Sequence, residues 1–162
     1  MITRIWADLI DLWLKLGPVR RRTALAWAAL PGDLVALSVM RLCGGLQPTR
    51  EIPREGALPV LLVEDPRASR YLDNVPLRPY AQTLGRYILA RERLPDATVR
   101  HELEHVRQWS RLGPLFLPLY GAASFLAILA GRNRYLDNTF EVAARAREAE
   151  SWLPNAREAK SR

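Results

Sequence analysis

The most informative part of the chain is residues 95–114, which read PDATVRHELEHVRQWSRLGP. Pro95 and Asp96 are residue types favoured in the first turn of a helix. Gly113, which a second proline follows, is typical of the residue just past a helix end. The sequence therefore predicts a helix that begins at Pro95 and Asp96 and ends close to residue 110.

This predicted helix has faces of different character. Residues three and four apart share a face, so one side can be buried while another borders a cleft. The charged Glu104 and Arg107 are expected to point to solvent, and Gln108 is expected either to hydrogen-bond a metal-binding histidine or to be solvated. The apolar stripe is Val99, Leu103 and Val106, and the polar stripe beside it is His101, His105 and Gln108.

The run from His101 to His105 has the pattern of a helical zinc site. The two histidines are one turn apart on one face, so their ring nitrogens can bind a single ion. Glu102 suits a general base that acts on metal-bound water, while zinc acts as the Lewis acid. The chain has only two histidines, so this spacing beside a glutamate is rare by chance. The alternatives are an ordinary surface pair and a site that keeps these residues without the ion.

A catalytic zinc ion needs a third protein ligand besides His101 and His105. The chain has no further histidine and no suitable cysteine, so we expect a carboxylate. Glu141 is preferred because it lies near the start of a separate helix that could pack across the metal-site helix. Other candidates are Asp137, Glu148 and Glu150 downstream, and, less favoured because their strand has no evident reason to meet the cleft, Glu64 and Asp65 upstream.

Glu141 also allows a structural interpretation. Asn138, followed three residues later by a glutamate, is a capping-box pattern in which the carboxylate accepts a hydrogen bond from a backbone N–H. The sequence leaves both roles open for Glu141. Asn138 is expected to begin the final helix, which continues to about residue 153.

Periodicity and turn residues divide the remaining chain. Apolar residues at spacings of three and four predict an amphipathic helix over residues 2–16. Residues 23–40 are expected to form a bent pair of helices, divided at Pro31. Residues 47–58 have the composition of a linker.

Two strands are predicted beside these helices. Residues 60–64 have the length and composition of a buried strand. Residues 83–90 are expected to form one strand, with a bulge or a close backbone approach at Gly85. Together with the helices, the strands predict a mostly helical α+β fold with a small sheet beside the metal-site helix.

The length of 162 residues suits one domain with its own hydrophobic core. Residues 1–46 are expected to be helices that pack on the core or a membrane. Residues 47–155 are expected to form the catalytic core, and residues 156–162 a disordered tail. Cys43, the single cysteine, excludes an internal disulfide, and the absence of a signal-peptide pattern favours the cytoplasm.

Charge narrows the choice of partner. The net charge is +7, carried almost entirely by scattered arginines. This scatter argues against nucleic-acid binding and favours a solvated surface or one that faces an anionic membrane.

Residues 112–130 form an uncharged run of 19 residues, long enough for a transmembrane helix. A single span would place Glu141 across the bilayer from His105, so it conflicts with the metal site. Breaks are expected at Pro114, Pro118 and Gly121. The run is therefore expected to be either a buried core segment or a bent insertion that returns to the same side, with peripheral attachment at the inner membrane face.

The run His101-Glu102-Leu103-Glu104-His105-Val106-Arg107-Gln108 resembles the active helix of small bacterial zincin-like proteins, His-Glu-x-x-His-Val-x-Gln. The resemblance covers roughly residues 81–150. These small proteins in turn resemble shortened versions of the gluzincin metallopeptidases. It implies that His101, His105 and Glu141 bind zinc, that Glu102 is the base, and that residues 83–90 hold an extended substrate. In the gluzincin pattern an acidic residue follows the ligand glutamate by four positions. This chain departs from the pattern, because it has Arg145 at that position.

The sequence thus predicts a zinc-dependent metallopeptidase that acts on a peptide or protein substrate. The alternative is a membrane-associated or partner-binding protein with a structural or vestigial metal site.

Overall fold

A computed structural model describes residues 18–54 and 57–149, with side chains from residue 27 onward. These residues form an α+β fold, which confirms the expected class at this level. Short 3-10 turns precede α2 and α4. The helices are α1 (Pro18–Leu42), α2 (Ser69–Leu72), α3 (Asp96–Leu112), α4 (Phe116–Leu129) and α5 (Thr139–Ala149), and the strands are β1 (Arg50–Ile52), β2 (Val60–Glu64), β3 (Ala81–Leu84) and β4 (Tyr87–Ala90).

The four strands form one mixed sheet in the order β1-β2-β4-β3. β2 runs antiparallel to β1 and parallel to β4, and β3 runs antiparallel to β4. The strand predicted over residues 60–64 is confirmed as β2. Within the described part of the chain β3 is an edge strand.

Side chains of the sheet alternate between two buried clusters, one on each face. α1 and α2 cover the face that carries Val63, Tyr87 and Leu89. α3 covers the opposite face through Val99 and Val106. The sheet therefore holds the predicted metal-site helix by its apolar stripe, which leaves another side of α3 for α5.

One continuous helix, α1, replaces the bent pair expected over residues 23–40. That expectation was wrong because tertiary contacts outweigh the local preference of the internal proline. The Asp33 carboxylate accepts hydrogen bonds from the backbone N–H and the Nε of Arg86, both at 2.7 Å. Next to it, a Cβ on Gly32 would lie 2.4 Å from the backbone nitrogen of Gly85.

A hairpin replaces the single strand expected over residues 83–90. Leu84 of β3 pairs with Tyr87 of β4, and only Gly85 and Arg86 connect them. Gly85 has a φ of 63°, a left-handed conformation that glycine adopts without a Cβ penalty. The glycine therefore reverses the chain. The predicted close backbone approach is confirmed, because a Cβ on Gly85 would lie 2.5 Å from the backbone nitrogen of Asp33, whereas a turn replaces the alternative, a bulge.

The predicted linker over residues 47–58 contains β1. Arg50 lies opposite Leu62 of β2, and its guanidinium forms an ion pair with Glu64 at 2.9 Å. Glutamate and arginine give no strand signal of their own, so the composition of this segment concealed the strand. Glu64 also accepts a hydrogen bond from the backbone N–H of Leu94 at 2.9 Å, away from the predicted metal site.

The helix predicted from Pro95 and Asp96 is confirmed as α3, and Gly113 follows it with a φ of 56°. The break in the apolar run lies at Gly113–Leu115 alone, because α4 continues through Pro118 and Gly121. Pro118 is tolerated because the N–H groups of the first helical turn have no partner within the helix.

The final helix begins at Thr139, directly after Asn138 as predicted, and the described part ends at Ala149. The helix predicted over residues 2–16 and the tail over residues 156–162 lie outside the described residues.

Glu104 is buried, with 8% exposure, which contradicts its expected position in solvent. α5 packs along this side of α3. The carboxylate lies 3.3 Å from Arg107 Nη1 and 3.5 Å from Arg147 Nε. Such pairing offsets the cost of burying a charge.

The contact between α1 and the β3–β4 turn predicts a clear difference between two helical glycines. We expect Gly32→Ala to destabilise the protein by about 1–3 kcal/mol, because its methyl group would overlap the turn backbone. Gly121→Ala is the matched control, since a Cβ there meets nothing within 4 Å. Its expected effect is a stabilisation of about 0.5–1 kcal/mol. Urea unfolding measures both, and equal stabilities of the two variants would contradict the packing.

Candidate metal centre

α3 and α5 bring His101, His105 and Glu141 together. The Nε2 of His101 lies 3.4 Å from Glu141 Oε2, and the Nε2 of His105 lies 3.2 Å from Oε1. One ligand atom from each residue falls within 4.8 Å of the other two, and all three residues are buried. This group could hold a metal ion, because its donors are two imidazole nitrogens and one carboxylate.

The Glu141 carboxylate does not act as a capping-box acceptor. The backbone N–H of Asn138 instead donates to the Tyr135 carbonyl at 3.3 Å. Asn138 itself caps α5, because its Oδ1 accepts from the backbone N–H of Phe140 at 2.9 Å. Of the two roles that the sequence left open for Glu141, its position fits the one at the histidines.

Electrostatics keep Glu141 ionised. Burial alone would raise the pKa of this carboxyl, but the adjacent His101 and His105 rings hold it well below its usual range. The Tyr120 hydroxyl adds a hydrogen bond to Oε1 at 2.8 Å. Burial, followed by the nearby Glu141 charge, raises the pKa of Tyr135 to about 12, so this hydroxyl stays protonated at the edge of the site.

The His105 ring is held in one orientation by Gln108. Gln108 Nε2 donates to the Phe140 carbonyl at 3.1 Å, which leaves Oε1 as an acceptor 2.9 Å from His105 Nδ1. The hydrogen-bond network therefore assigns the proton to Nδ1 in the neutral ring. Gln108 is 7% exposed, so it contacts a predicted ligand and is not merely solvated.

This arrangement requires a positive charge between the rings and the carboxylate. With the proton on Nδ1, the Nε2 lone pair of His105 faces an ionised oxygen of Glu141. Glu141 Oε2 is itself buried without a hydrogen-bond partner. A metal ion would satisfy both groups, and a second proton on His105 is the alternative. The chemistry of the donors therefore fits zinc.

Glu102 is held beside the candidate metal ligands by the edge strand. Thr83 Oγ1 donates to Glu102 Oε2 at 2.7 Å, and both side chains are buried. Burial alone would lower the pKa of His105, but the adjacent Glu141 carboxylate and the nearby Glu102 charge raise it. Glu102 is thus an electrostatic neighbour of His105, on the same helix.

The site opens into a cleft of about 850 Å³. β3 and the loop before it form one wall, and the first turns of α4 form another. The segment between α4 and α5 contributes Tyr135. The three candidate ligands and Glu102 all line this cleft, so a small molecule or an extended chain can reach them.

The remaining candidate ligands lie at the margin or elsewhere. Glu148 Oε2 is 3.3 Å from His101 Nδ1, on the side of the ring away from Glu141. Asp137 accepts a hydrogen bond from the backbone N–H of Asn133 at 2.9 Å. Glu150 lies outside the described residues, and Asp65 binds Arg67 through its carboxylate.

Arg145 occupies the position at which the gluzincin pattern has an acid. Its guanidinium donates to the Leu136 carbonyl and lies 5.9 Å from the centre of the Tyr135 ring. Arg145 therefore holds the loop before α5 and does not contact either histidine ring within the described interactions.

Thr83 and Tyr120 are site residues that the sequence did not predict. Tyr120 lies in an uncharged run with the composition of a core or membrane segment, which concealed its polar contact. Thr83 was placed in the predicted strand, but no local pattern relates it to Glu102. Only the packing of α3 on β3 makes this contact visible.

Comparison with known proteins adds no relative. The chain matches no protein-family model, no curated protein and no solved structure.

The contact between Glu141 and His105 predicts a measurable titration shift. In protein freed of metal by a chelator, Glu141→Gln should lower the pKa of His105, because it removes the negative charge that favours the protonated ring. Burial would then favour the neutral ring. Proton NMR can follow the two histidines of the chain directly. Glu148→Gln is the control, since Glu148 contacts His101; an unchanged His105 titration in Glu141→Gln would contradict the geometry.

Proposed function

We propose that the protein is a zinc-dependent hydrolase of metallopeptidase type. His101, His105 and Glu141 would hold the ion, and Glu102 would be the general base. The observation that carries the proposal is the convergence of two imidazole Nε2 atoms on a buried carboxylate at the floor of an open cleft. The helical pattern around His101 and its resemblance to zincin-like proteins support it further.

The surrounding residues support a catalytic site more than a structural one. Structural zinc sites usually have four protein ligands, whereas catalytic sites have three and an open position. Three suitable ligands converge here within the described residues, and they border a cleft. Bound zinc would supply a Lewis acid that polarises a substrate carbonyl and makes water more acidic.

The protein's own groups can carry out the proton transfers that amide hydrolysis requires. Glu102 would accept a proton from the attacking water and later deliver it to the leaving amine. Thr83 is a positioning residue, because its hydroxyl fixes one Glu102 oxygen and leaves the other for water. Gln108 and Tyr120 would fix the orientation of His105 and Glu141.

An extended peptide is the substrate class that the cleft fits. β3 borders the cleft as an edge strand, and alternate residues of an edge strand have backbone N–H and C=O groups available for another chain. A peptide could pair there by strand addition. The scissile bond would then lie close to Glu102, which β3 contacts through Thr83.

The proposed ligand set predicts one zinc ion per chain. Purified protein dialysed against zinc and then zinc-free buffer should retain about one equivalent, measured by elemental mass spectrometry. Glu141→Gln should weaken zinc binding by more than about 10-fold, since even residues that only contact a ligand contribute that much. Loss of both histidines in His101→Ala/His105→Ala should abolish binding.

Glu104→Gln is the matched control for these variants. It makes the same change on α3, but its carboxylate lies with Arg107 and Arg147, away from the cleft. It should therefore keep its zinc. If the double histidine variant retains as much zinc as the wild type, the proposed metal site is wrong.

The proposed base predicts a separation of metal binding from turnover. Glu102→Gln should keep its zinc yet reduce peptide hydrolysis by about 10²–10⁴-fold, because the amide cannot accept the proton. Cleavage of a mixed peptide library, read by mass spectrometry, measures this. Thr83→Val should show a smaller loss, which Thr83→Ser should restore because serine keeps the hydroxyl.

Two results would contradict this assignment. Unchanged hydrolysis by Glu102→Gln would remove Glu102 from the role of base. Stoichiometric zinc without any hydrolysis by the wild type would favour the alternative, a membrane-associated or partner-binding protein with a structural metal. The exposed apolar surface of α1 and α4 indicates what such a protein would bind.

A further inference from the structure

α4 exposes apolar side chains of the kind that a helix in a soluble protein normally buries. Of its side chains only Phe116 and Ala127 are buried. Two roles were predicted for the uncharged run of residues 112–130. The first of them, a buried core segment, is therefore wrong. The large apolar residues of this surface, each between 43% and 67% exposed, are Leu117, Leu119, Phe125, Leu126, Ile128 and Leu129.

α1 exposes a second apolar surface. Its inward face packs Ala36, Val39 and Met40 into the core, whereas large apolar residues also point outward. Residues spaced by three and four share one outward stripe, which covers residues 27–37. The stripe is Trp27, Leu30, Leu34 and Leu37, and Trp27 is 69% exposed.

The two surfaces approach each other where α1 crosses the start of α4. A Cβ on Gly113 would lie 3.4 Å from the carbonyl oxygen of Ala28, the residue next to Trp27. Leu115, between Gly113 and α4, is 61% exposed. Large apolar side chains are thus exposed along both helices, and contiguous exposed apolar surface marks an interaction site, so a partner for these faces is expected.

Charge identifies the kind of partner. Neither exposed face carries an acid, because residues 112–130 are uncharged and Asp33 of α1 is buried in its ion pair with Arg86. Exposed arginines instead border the faces, at Arg41, Arg111 and Arg132. Apolar helices bordered by cations complement an anionic phospholipid surface.

The structure also determines how such helices can meet a bilayer. The stretch Asp96–Leu129 is, among the described residues, long and apolar enough to cross a membrane by length and composition alone, and only 17% of its most apolar part is buried. However, Asn138 Nδ2 donates to the Tyr120 carbonyl at 3.1 Å, so the chain has returned to the start of α4 by residue 138. α4 extends only about 14 Å past Tyr120, well short of a bilayer core of about 30 Å.

We propose that the exposed faces of α1 and α4 dock the protein on one leaflet of an anionic phospholipid bilayer. The helices lie in the interface, with their apolar side chains among the acyl chains and the bordering arginines among the headgroups. Phe116, Leu117 and Tyr120 of α4 also line the cleft. The cleft therefore opens beside the membrane, within reach of the membrane-proximal segments of other proteins.

Vesicle flotation with the purified full chain tests this proposal, because lipid-bound protein rises in a density gradient whereas aggregates sink. We expect the wild type to float with vesicles that contain phosphatidylglycerol and less with phosphatidylcholine alone. Phe125→Glu/Leu129→Glu places two charges one turn apart on the exposed face. It should reduce the floated fraction at least about tenfold, since two large apolar side chains no longer enter the lipid.

Val142→Glu/Ala146→Glu is the matched control, because these two exposed residues lie one turn apart on α5, outside α1, α4 and the cleft. It changes the net charge equally and should float as the wild type does. A wild type that stays at the bottom, or an α4 variant that floats like the control, overturns the proposal. So does a dimer in lipid-free buffer that the α4 variant converts to monomers, since a second copy would then cover the face.

The docking test is independent of the proposed zinc chemistry. His101→Ala/His105→Ala should float like the wild type, because neither histidine lies on the exposed faces. Docking and metal binding can therefore fail separately.

Discussion

The contact between one buried carboxylate on α5 and two imidazoles on α3 is the constraint on which the rest of the site depends. An ionised Glu141 could not remain 3% exposed without the positive charge that the His101 and His105 rings help to supply. The contact fixes how α5 crosses α3, and it requires the intervening chain to return from α4. Asn138, which donates to the Tyr120 carbonyl, and the Tyr120 hydroxyl, which donates to Glu141, both stabilise that return.

The sheet supplies the opposite half of the site. α3 is fixed against β4 by its apolar stripe, so its polar stripe faces α5 and the edge strand β3. The β3–β4 turn is in turn held by Gly32 and Asp33 of α1. A change in the packing of α1 would therefore move Thr83, and with it the Glu102 carboxylate, although none of the described side chains of α1 belongs to the site.

Sequence reasoning succeeded where the signal was local and failed where it was not. The limits of α3, the strand β2 and the cap at Asn138 followed from periodicity and terminal residues. The sequence predicted two alternative roles for Glu141, metal ligand and capping-box acceptor. It could not choose between them because both are compatible with the same local pattern. Three features depend on contacts with distant segments, so no local pattern predicts them: β1, the continuous α1 and the buried Glu104.

The aromatic contacts of Phe116 with Trp109 and Phe140 anchor the start of α4 to the site, while its far half stays exposed. α4 therefore connects the candidate metal centre to the apolar surface. Zinc K-edge X-ray absorption on the purified, zinc-loaded protein tests the central claim most directly. The account predicts two imidazole nitrogens and oxygen donors at about 2.0–2.2 Å. A spectrum without imidazole scattering, or one unchanged in His101→Ala/His105→Ala, would contradict it.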